Sequence, residues 1–155
     1  MRVVVSLKDV VDAMDLPSSD WTSYLNPTTG EIVTVTDEDR RLIEDEDVDE
    51  ENLSEWQRET LPRVRAALES DDFLALPDKL EIHEWAIMER FANSQERQAR
   101  RDELLDAIHG AGAFRSFRSA VRRLRIEEEW FRFRQSAFEG IALGWLEAHG
   151  VSSEY

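Results

Sequence analysis

The sequence predicts an α+β fold: a small N-terminal antiparallel sheet, built on a hairpin, packs with helices, and the C-terminal half is mostly helical. Two alternating segments, 21–25 and 31–36, flank a turn rich in Asn, Pro and Gly, which is the pattern of a β-hairpin. From residue 82 to about residue 149, apolar residues recur at helical spacing. The 155 residues are 41% hydrophobic and include no Cys, so the composition argues against a disulfide scaffold and a disordered chain.

The elements near the sheet follow from local start and stop signals. Residues 2–5 are predicted to form a short strand or an extended arm. Ser6 then begins a helix that ends before Pro17. The apolar face of this helix consists of Leu7, Val10, Val11 and Met14. We expect the helix to cover the hairpin, because an isolated hairpin is only marginally stable in water. The short apolar segment 73–77 is predicted to add a strand to the sheet.

The acidic segment after the hairpin is predicted to contain two helices and a loop. A short helix begins at Asp37, residues 45–52 form a charged loop, and a second helix covers 53–69. Pro62 either bends that second helix or lies in a first turn that Thr60 opens. One buried stripe is predicted for the helix, namely Leu53, Trp56, Leu61, Val64 and Leu68.

The C-terminal half is predicted to be a succession of helices. Their predicted ranges are 82–93, 95–109, 113–125 and 126–149. Gly110 suits the left-handed position that ends the second of these helices. The third helix is predicted to direct four residues inward, Phe114, Phe117, Val121 and Leu124. The inward stripe predicted for the last helix is Trp130, Phe133, Ala137, Ile141 and Trp145.

Charge is distributed unevenly along a chain whose length suits one domain. We expect that domain to cover 1–155, with an acidic α+β part over about 1–80 and a helical part over about 81–150. The net charge of −15 arises entirely in residues 1–90, whereas the densest basic segment, Arg97–Arg125, has a net charge of +5. Two interpretations stay open: the arginines pair internally with acidic segments, or they bind a phosphorylated or nucleic-acid ligand. A saline or high-GC host is a further explanation of the acidity.

The glycine-rich turn before the third C-terminal helix is the most suggestive segment for ligand binding. A helix that begins near Ala113 directs free backbone N–H groups at whatever lies before it. Three arginines follow at helical spacing, on a face largely opposite the phenylalanines. The candidate anion- or nucleic-acid-binding residues are therefore Gly110, Gly112, Arg115, Arg118 and Arg122. The structural alternative is a tight helix–helix turn whose arginines pair with Glu127, Glu128 and the acidic half of the chain.

The sequence contains no recognisable catalytic or metal-binding motif. Without Cys there is no thiolate chemistry, and no Ser lies in a nucleophile-elbow pattern. His83, His109 and His149 lack the spacing of a zinc site. The acidic run 37–51 lacks the glycine and the ordered spacing of an EF-hand. We therefore predict no catalytic residue, metal or cofactor, and the balance is against an enzyme, although a site scattered through the sequence stays open.

Four segments of the chain together resemble a bacterial protein family. They are Asn-Pro-Thr-Thr-Gly-Glu at 26–31, Glu-Trp-Ala-Ile-Met-Glu-Arg-Phe at 84–91, Gly-Ala-Gly-Ala-Phe-Arg-Ser-Phe at 110–117 and Glu-Trp-Phe-Arg-Phe at 129–133. In this order and spacing, over about residues 7–151, the chain resembles the bacterial Uncharacterised Protein Family 0158. The resemblance implies a compact, soluble bacterial domain, and it implies no activity, substrate or catalytic residue.

These observations favour a cytoplasmic, non-enzymatic binding or regulatory module that acts through contacts with another protein. The longest apolar runs are four residues, at 73–76 and 85–88, so we predict neither a membrane-spanning segment nor a secretory leader. The alternative is binding of a nucleic acid or a phosphate ligand through the Arg-rich face around Gly110–Arg125, within the basic segment Arg97–Arg125. A third hypothesis is that the acidic run Asp37–Glu51 imitates a nucleic-acid surface and occupies a basic partner.

Overall fold

The protein has the predicted α+β fold in a computed structural model. The described residues are 3–18, 20–45, 51 and 53–154. The charged loop predicted at 45–52 lies largely outside them. None of the helices in the described residues is both long and apolar enough to span a bilayer.

The chain forms two compact units. The first, which we call the sheet unit, consists of Met1–Asp78 together with Ile141–Tyr155. The second, which we call the helical unit, is the continuous segment Lys79–Gly140. The organisation of the whole chain as a single domain stays a prediction.

Strands and helices alternate in the first part of the chain, and helices dominate the rest. The strands are β1 (Val4–Ser6), β2 (Thr22–Leu25), β3 (Ile32–Val35), β4 (Leu74–Ala75) and β5 (Ser152–Glu154). The helices are α1 (Leu7–Met14), α2 (Asp37–Glu44), α3 (Glu55–Glu69), α4 (Lys79–Ile82), α5 (Glu84–Asn93), α6 (Gln98–Ile108), α7 (Ala113–Arg123) and α8 (Glu127–Ala148). β2 pairs antiparallel with both β3 and β4, so the predicted hairpin and the predicted additional strand are confirmed.

The turn of the hairpin is held by Asn26 and requires glycine at position 30. The side-chain oxygen of Asn26 accepts hydrogen bonds from the backbone N–H groups of Thr28, at 2.9 Å, and Thr29, at 3.2 Å. Gly30 has a φ of +79°, and its N–H donates to the carbonyl oxygen of Asn26 at 2.8 Å. A Cβ atom at position 30 would lie 2.9 Å from Cγ1 of Val3. Backbone conformation and space therefore both select glycine.

Helices cover both faces of the antiparallel sheet. On one face the Ser23 hydroxyl donates to the carbonyl oxygen of Ala13 in α1 at 2.7 Å, which confirms that the first helix covers the hairpin. Successive side chains of a strand point to opposite faces, so the residues next to Ser23 along β2 face the opposite side of the sheet. On that second face β3 and α3 share a buried apolar cluster of Val33, Val35, Val64 and Ala67.

Both helices of the acidic segment begin with a capping box. At α2 the Thr36 hydroxyl accepts from the Asp39 N–H, and the Asp39 carboxylate accepts from the Thr36 N–H, each at 3.2 Å. Ser54 and Gln57 form the same reciprocal pair at the start of α3. Asp39 is buried, so at least one carboxylate of the acidic run is part of the fold.

In α3, Pro62 occupies one of its two predicted positions, whereas the predicted burial of Trp56 is wrong. Pro62 lies inside the helix and not in its first turn. Trp56 is 67% exposed, whereas the buried residues of the helix are Leu61, Val64 and Ala67. Trp56 precedes Leu61 by five residues and therefore points about 140° away from it around the helix.

A cluster of aromatic rings forms the core of the helical unit. The ring centroid of Phe91 in α5 lies 5.3 Å from those of Trp130 and Phe133 in α8 and 6.3 Å from that of Phe117 in α7. The centroids of Phe117 and Trp130 are 4.8 Å apart. Edge-to-face and tilted contacts of this kind are the preferred geometry of aromatic pairs. The predicted inward positions of Phe117 and Trp130 are confirmed, because both are buried.

The turn between α6 and α7 corrects the role predicted for Gly110. Gly112, and not Gly110, has the left-handed backbone, with a φ of +70° directly before the first residue of α7. The residue that follows α6 is His109, whose φ of −95° and ψ of 4° require no glycine.

The buried stripe of α8 is displaced by one residue from the prediction. Phe133, Ala137, Ile141 and Trp145 are only partly buried. The most buried residues of the helix are Trp130, Phe138, Ala142 and Leu146. Steps of four residues exceed a full turn by about 40°, so this stripe winds slowly around the helix and leaves the large rings at its edges.

The strand β5 is an element that the sequence analysis does not predict. It pairs in parallel with β1, with Val4 opposite Ser152 and Ser6 opposite Glu154. The pairing shows that the N-terminal segment is a strand, one of the two predicted alternatives. A Ser-Ser-Glu segment contains no β-branched residue and no alternation, so it carries no strand signal.

Candidate functional site

The α7 helix presents arginines on a surface separate from its buried face. The predicted arginines are all exposed: Arg115, Arg118 and Arg122. The buried residues of the helix are Phe117, Ala120 and Val121. The residues between Asp106 and Glu127 include five arginines and no acidic residue. The α7 helix itself therefore contributes no carboxylate to this surface.

The three predicted arginines have no ionic partner within the described part of the chain. The ion pairs of the helical unit involve other arginines: Arg123 with Glu103, Arg132 with Glu128, and Arg134 with Glu84. Internal pairing therefore occurs beside the predicted site and leaves the site itself unpaired. Guanidinium groups without a partner keep all their N–H donors for a ligand.

The two predicted glycines lie in the turn between α6 and α7. Both Gly110 and Gly112 are exposed, and a Cβ atom at either position would meet no heavy atom within 4 Å. No close approach of the backbone therefore requires glycine here, and the requirement at Gly112 is its left-handed φ. The Gly112 carbonyl oxygen accepts the first hydrogen bond of α7, from the Ser116 N–H at 2.9 Å.

A groove in the helical unit brings two of the predicted arginines together with aromatic side chains. The groove has a volume of about 420 Å³ and is lined by residues of α5, α7 and α8. Its buried lining residues are Met88, Phe117, Val121 and Trp130. Its more accessible lining residues are Glu84, Phe114, Arg118, Arg122, Glu127, Phe131 and Arg134. Of the five predicted residues, the groove includes Arg118 and Arg122 and leaves out Gly110, Gly112 and Arg115.

Two phenylalanine rings of the groove are exposed to solvent. Phe114 of α7 is 47% exposed and Phe131 of α8 is 61% exposed. The predicted inward position of Phe114 is therefore wrong. Phe114 lies in the first turn of α7, where its side chain lines the groove. Phe131 is not among the inward residues predicted for the last helix, and its exposure agrees with that.

The groove also contains an ion pair that the sequence analysis did not identify. Nε of Arg134 donates a hydrogen bond to Oε1 of Glu84, and both side chains are mostly buried. The Arg134 guanidinium carbon lies 4.3 Å from the ring centroid of Phe138, close enough for a cation–π contact. Glu84 and Arg134 are 50 residues apart on different helices, so no local pattern in the sequence signals this pair.

A smaller depression of about 300 Å³ adjoins the groove. It is lined by Arg122, Arg125, Ile126, Glu127, Glu128, Glu129 and Arg132. Because Arg122 and Glu127 line both cavities, they mark the end of the groove that faces this depression. The depression carries three arginines and three glutamates, so its charges are balanced.

Two of the three histidines flank a tryptophan at the surface of the helical unit. The ring centroid of Trp85 lies 6.4 Å from that of His83 and 6.1 Å from that of His109. The Trp85 indole N–H donates to the carbonyl oxygen of Ile108 at 3.0 Å, which fixes the ring between α5 and the end of α6. Among the described residues, no group of three or more His, Asp or Glu side chains is arranged to hold a metal ion.

Comparisons with protein-family models, with curated proteins and with solved structures find no match to this chain. The geometry thus defines the class of the protein as an α+β chain whose helical unit carries a basic, aromatic groove.

Proposed function

We propose that the protein is a non-enzymatic binding module that holds a partner protein in the groove of its helical unit. The observation that carries this proposal is the exposure of two rings, Phe114 and Phe131, on two helices that line one groove. Apolar rings in a concave surface gain free energy when a partner removes them from water. Aromatic residues and arginine are also the types enriched at protein–protein interfaces.

The packing beneath the exposed rings supports a preorganised binding surface. Phe117 and Trp130 line the groove and also belong to the aromatic core of the helical unit. Side chains that are already fixed lose little conformational entropy when a partner binds. The groove therefore meets one requirement of a specific binding site.

The composition of the groove supports binding over catalysis. Its described lining contains no hydroxyl and no imidazole side chain, and its carboxylates are those of Glu84 and Glu127. Glu84 is paired with Arg134. Nucleophilic and general acid–base mechanisms need a nucleophile or a proton carrier beside the substrate. The lining therefore offers few such groups.

A second candidate function is binding of a nucleic acid or a phosphate ligand through the Arg-rich face around Gly110–Arg125. The observation that favours it is the absence of ionic partners for Arg115, Arg118 and Arg122 within the described residues. The net charge of −15 opposes the approach of a polyanion. At physiological salt this repulsion is screened beyond about 8 Å, so a local basic surface retains its attraction.

We also propose, from the sequence resemblance alone, that the chain is related to the bacterial Uncharacterised Protein Family 0158 and acts in the cytoplasm. Three of the four segments that carry the resemblance, 84–91, 110–117 and 129–133, contribute lining residues to the groove. A structure of a member of that family tests the relationship, since a related member has the same two units and the same groove.

Site-specific photo-crosslinking in cells of the native host tests the protein-binding function. A benzophenone amino acid replaces Phe131 in the groove, and in a matched control it replaces Leu80, which is 89% exposed and does not line the groove. We expect a discrete protein adduct from position 131 and none from position 80. Adding Phe114→Ala to the position-131 variant should weaken that adduct.

Two results contradict the protein-binding function. If position 131 yields no protein adduct beyond that from position 80, the groove is not a protein-binding site. If the adduct is removed by nuclease and contains nucleic acid, the second candidate function replaces the first. Circular dichroism of the purified variants verifies that each one is folded.

A further inference from the structure

We infer that the partner segment held in the groove is acidic, with carboxylate side chains beside one large apolar or aromatic side chain. This inference rests on the proposed function and adds the chemistry of the partner. It follows from the charges of the groove, from its apolar surface and from the position of its one unpaired carboxylate among the described residues.

The charges at the groove favour a partner with carboxylates. Arg118 and Arg122 are exposed, line the groove and have no ionic partner among the described residues. A carboxylate can accept two parallel hydrogen bonds from one guanidinium group, and such charge-assisted bonds are stronger than neutral ones. A basic or neutral segment would remove water from these guanidinium groups without offering them a carboxylate in its place. Carboxylates are therefore the groups that best match this surface.

The apolar surface of the groove requires an anchor side chain in addition to the carboxylates. Phe114 and Phe131 expose their rings, and the buried Met88 also lines the groove. A volume of about 420 Å³ lies near the lower end of the range for small-molecule sites, which is about 300–1,000 Å³. One or two large side chains of a partner segment fit this volume.

The position of Glu127 indicates where along the groove a carboxylate of the partner is favoured. Along α7 the groove residues follow the order Phe114, Arg118, Arg122, and Glu127 lines the groove at the Arg122 end. Glu84 is already paired with Arg134, whereas Glu127 forms no ion pair in the described part of the chain. A carboxylate of the partner is therefore most favoured beside Arg118 and is opposed beside Glu127. Removing the charge of Glu127 should strengthen binding.

Selection from a phage-displayed library of random 12-residue peptides tests the inference with the full-length protein. The selected peptides should be enriched in Asp and Glu around a Phe, Trp, Leu or Met residue. The same selection on the Phe114→Ala/Phe131→Ala variant identifies peptides that bind elsewhere. Those peptides are subtracted before the consensus is read.

Charge variants then separate the role of each arginine from a general effect of net charge. For a selected peptide, Arg118→Glu should lower the affinity tenfold or more, because a charge-assisted contact is replaced by repulsion. Arg115→Glu makes the same change of net charge on the same helix outside the groove, and it should lower the affinity less than threefold. Glu127→Gln should raise the affinity. These three side chains are exposed, so the variants are expected to fold.

Three outcomes overturn the inference. The first is a consensus without enriched acidic residues, or no consensus at all, and the second is equal loss of affinity in Arg115→Glu and Arg118→Glu. The third is tighter binding of a random single-stranded DNA 12-mer than of the selected peptides. If photo-crosslinking at position 131 captures a protein while the consensus is neutral or basic, the proposed function stands and this inference fails. If no protein is captured, both fail.

Discussion

At position 30, the backbone conformation and the space around it both favour glycine. Gly30 has a φ of +79°, and the Cβ atom that an alanine would add there lies only 2.9 Å from Val3 Cγ1. We expect Gly30→Ala to lower the free energy of unfolding by about 1–2 kcal/mol, because an L side chain is strained in the left-handed region. Urea denaturation followed by circular dichroism measures the change.

A second glycine provides the matched control for this prediction. Gly144 lies in α8, in the same sheet unit, and a Cβ atom there would meet nothing within 4 Å. Gly144→Ala should raise the free energy of unfolding by up to about 1 kcal/mol, because alanine favours the helix. Equal effects of the two substitutions would show that the left-handed turn is not the cause.

Phe117 belongs both to the core of the helical unit and to the lining of the groove. Its side chain is fully buried against Phe91 and Trp130. We expect Phe117→Ala to lower the free energy of unfolding by about 3–5 kcal/mol, because it removes a ring from a packed cluster and leaves a cavity. The exposed Phe131, in contrast, should tolerate alanine within about 0.5 kcal/mol. Urea denaturation of both variants compares the two, and a similar loss would contradict this division between core and groove.

Among the secondary-structure elements, α2 combines a capping box at its start with partial burial of Ile43, which packs against the apolar cluster of β3 and α3. Asp39 is its only buried residue among those described, and Thr36 bonds reciprocally with it. Thr36→Ala should lower the free energy of unfolding by about 1 kcal/mol and speed the hydrogen exchange of the first α2 amides. Thr36→Ser keeps the hydroxyl and is the control. Unchanged exchange in the alanine variant would show that the box does not stabilise the helix.

The elements with local signals could be predicted from the sequence, and those that depend on distant partners could not. The hairpin carries its own turn chemistry at Asn26 and Gly30, and α1 carries its cap at Ser6. By contrast, β5 exists because β1 offers a partner strand far away in the sequence. A strand of this kind gains its stability from pairing and not from its own composition.

The candidate site was predictable in part for the same reason. The spacing of Arg118 and Arg122 along one helix is local, so the sequence could place both on an exposed face. Phe114 was misplaced because helical spacing shows which residues share a face, and not how much of each side chain on that face is covered. The pair of Glu84 and Arg134 joins separate helices, and only the tertiary fold brings its two members together.

For the protein as a whole, charge divides along the boundary between the two units. The sheet unit has 23 acidic and seven basic residues, a net charge of −16, whereas the helical unit has 11 acidic and 12 basic residues, a net charge of +1. Like charges in one compact unit repel each other and lower its stability. The helical unit carries almost no such cost.

Salt should therefore stabilise the two units differently. Raising NaCl from about 0.01 M to 1 M shortens the Debye length from about 30 Å to about 3 Å and screens the repulsion in the sheet unit. We expect slower hydrogen exchange in α3 and little change in α7, as measured by mass spectrometry at constant pH. The Asp71→Asn/Asp72→Asn variant, which removes two exposed acids, should show a smaller response in α3. An equal response of both units would contradict the role of charge.

The parallel pairing of β1 with β5 also sets an order for folding during translation. The ribosome makes β1 before the helical unit, but β5 only after every residue of that unit has been added. At about 5–20 residues per second, the nascent β1 strand is synthesised roughly 7–30 s before its partner. The helical unit is a continuous segment, so it can reach its folded state while the sheet unit still lacks a strand. The sheet unit, whose synthesis begins before that of the helical unit, is thus completed after it.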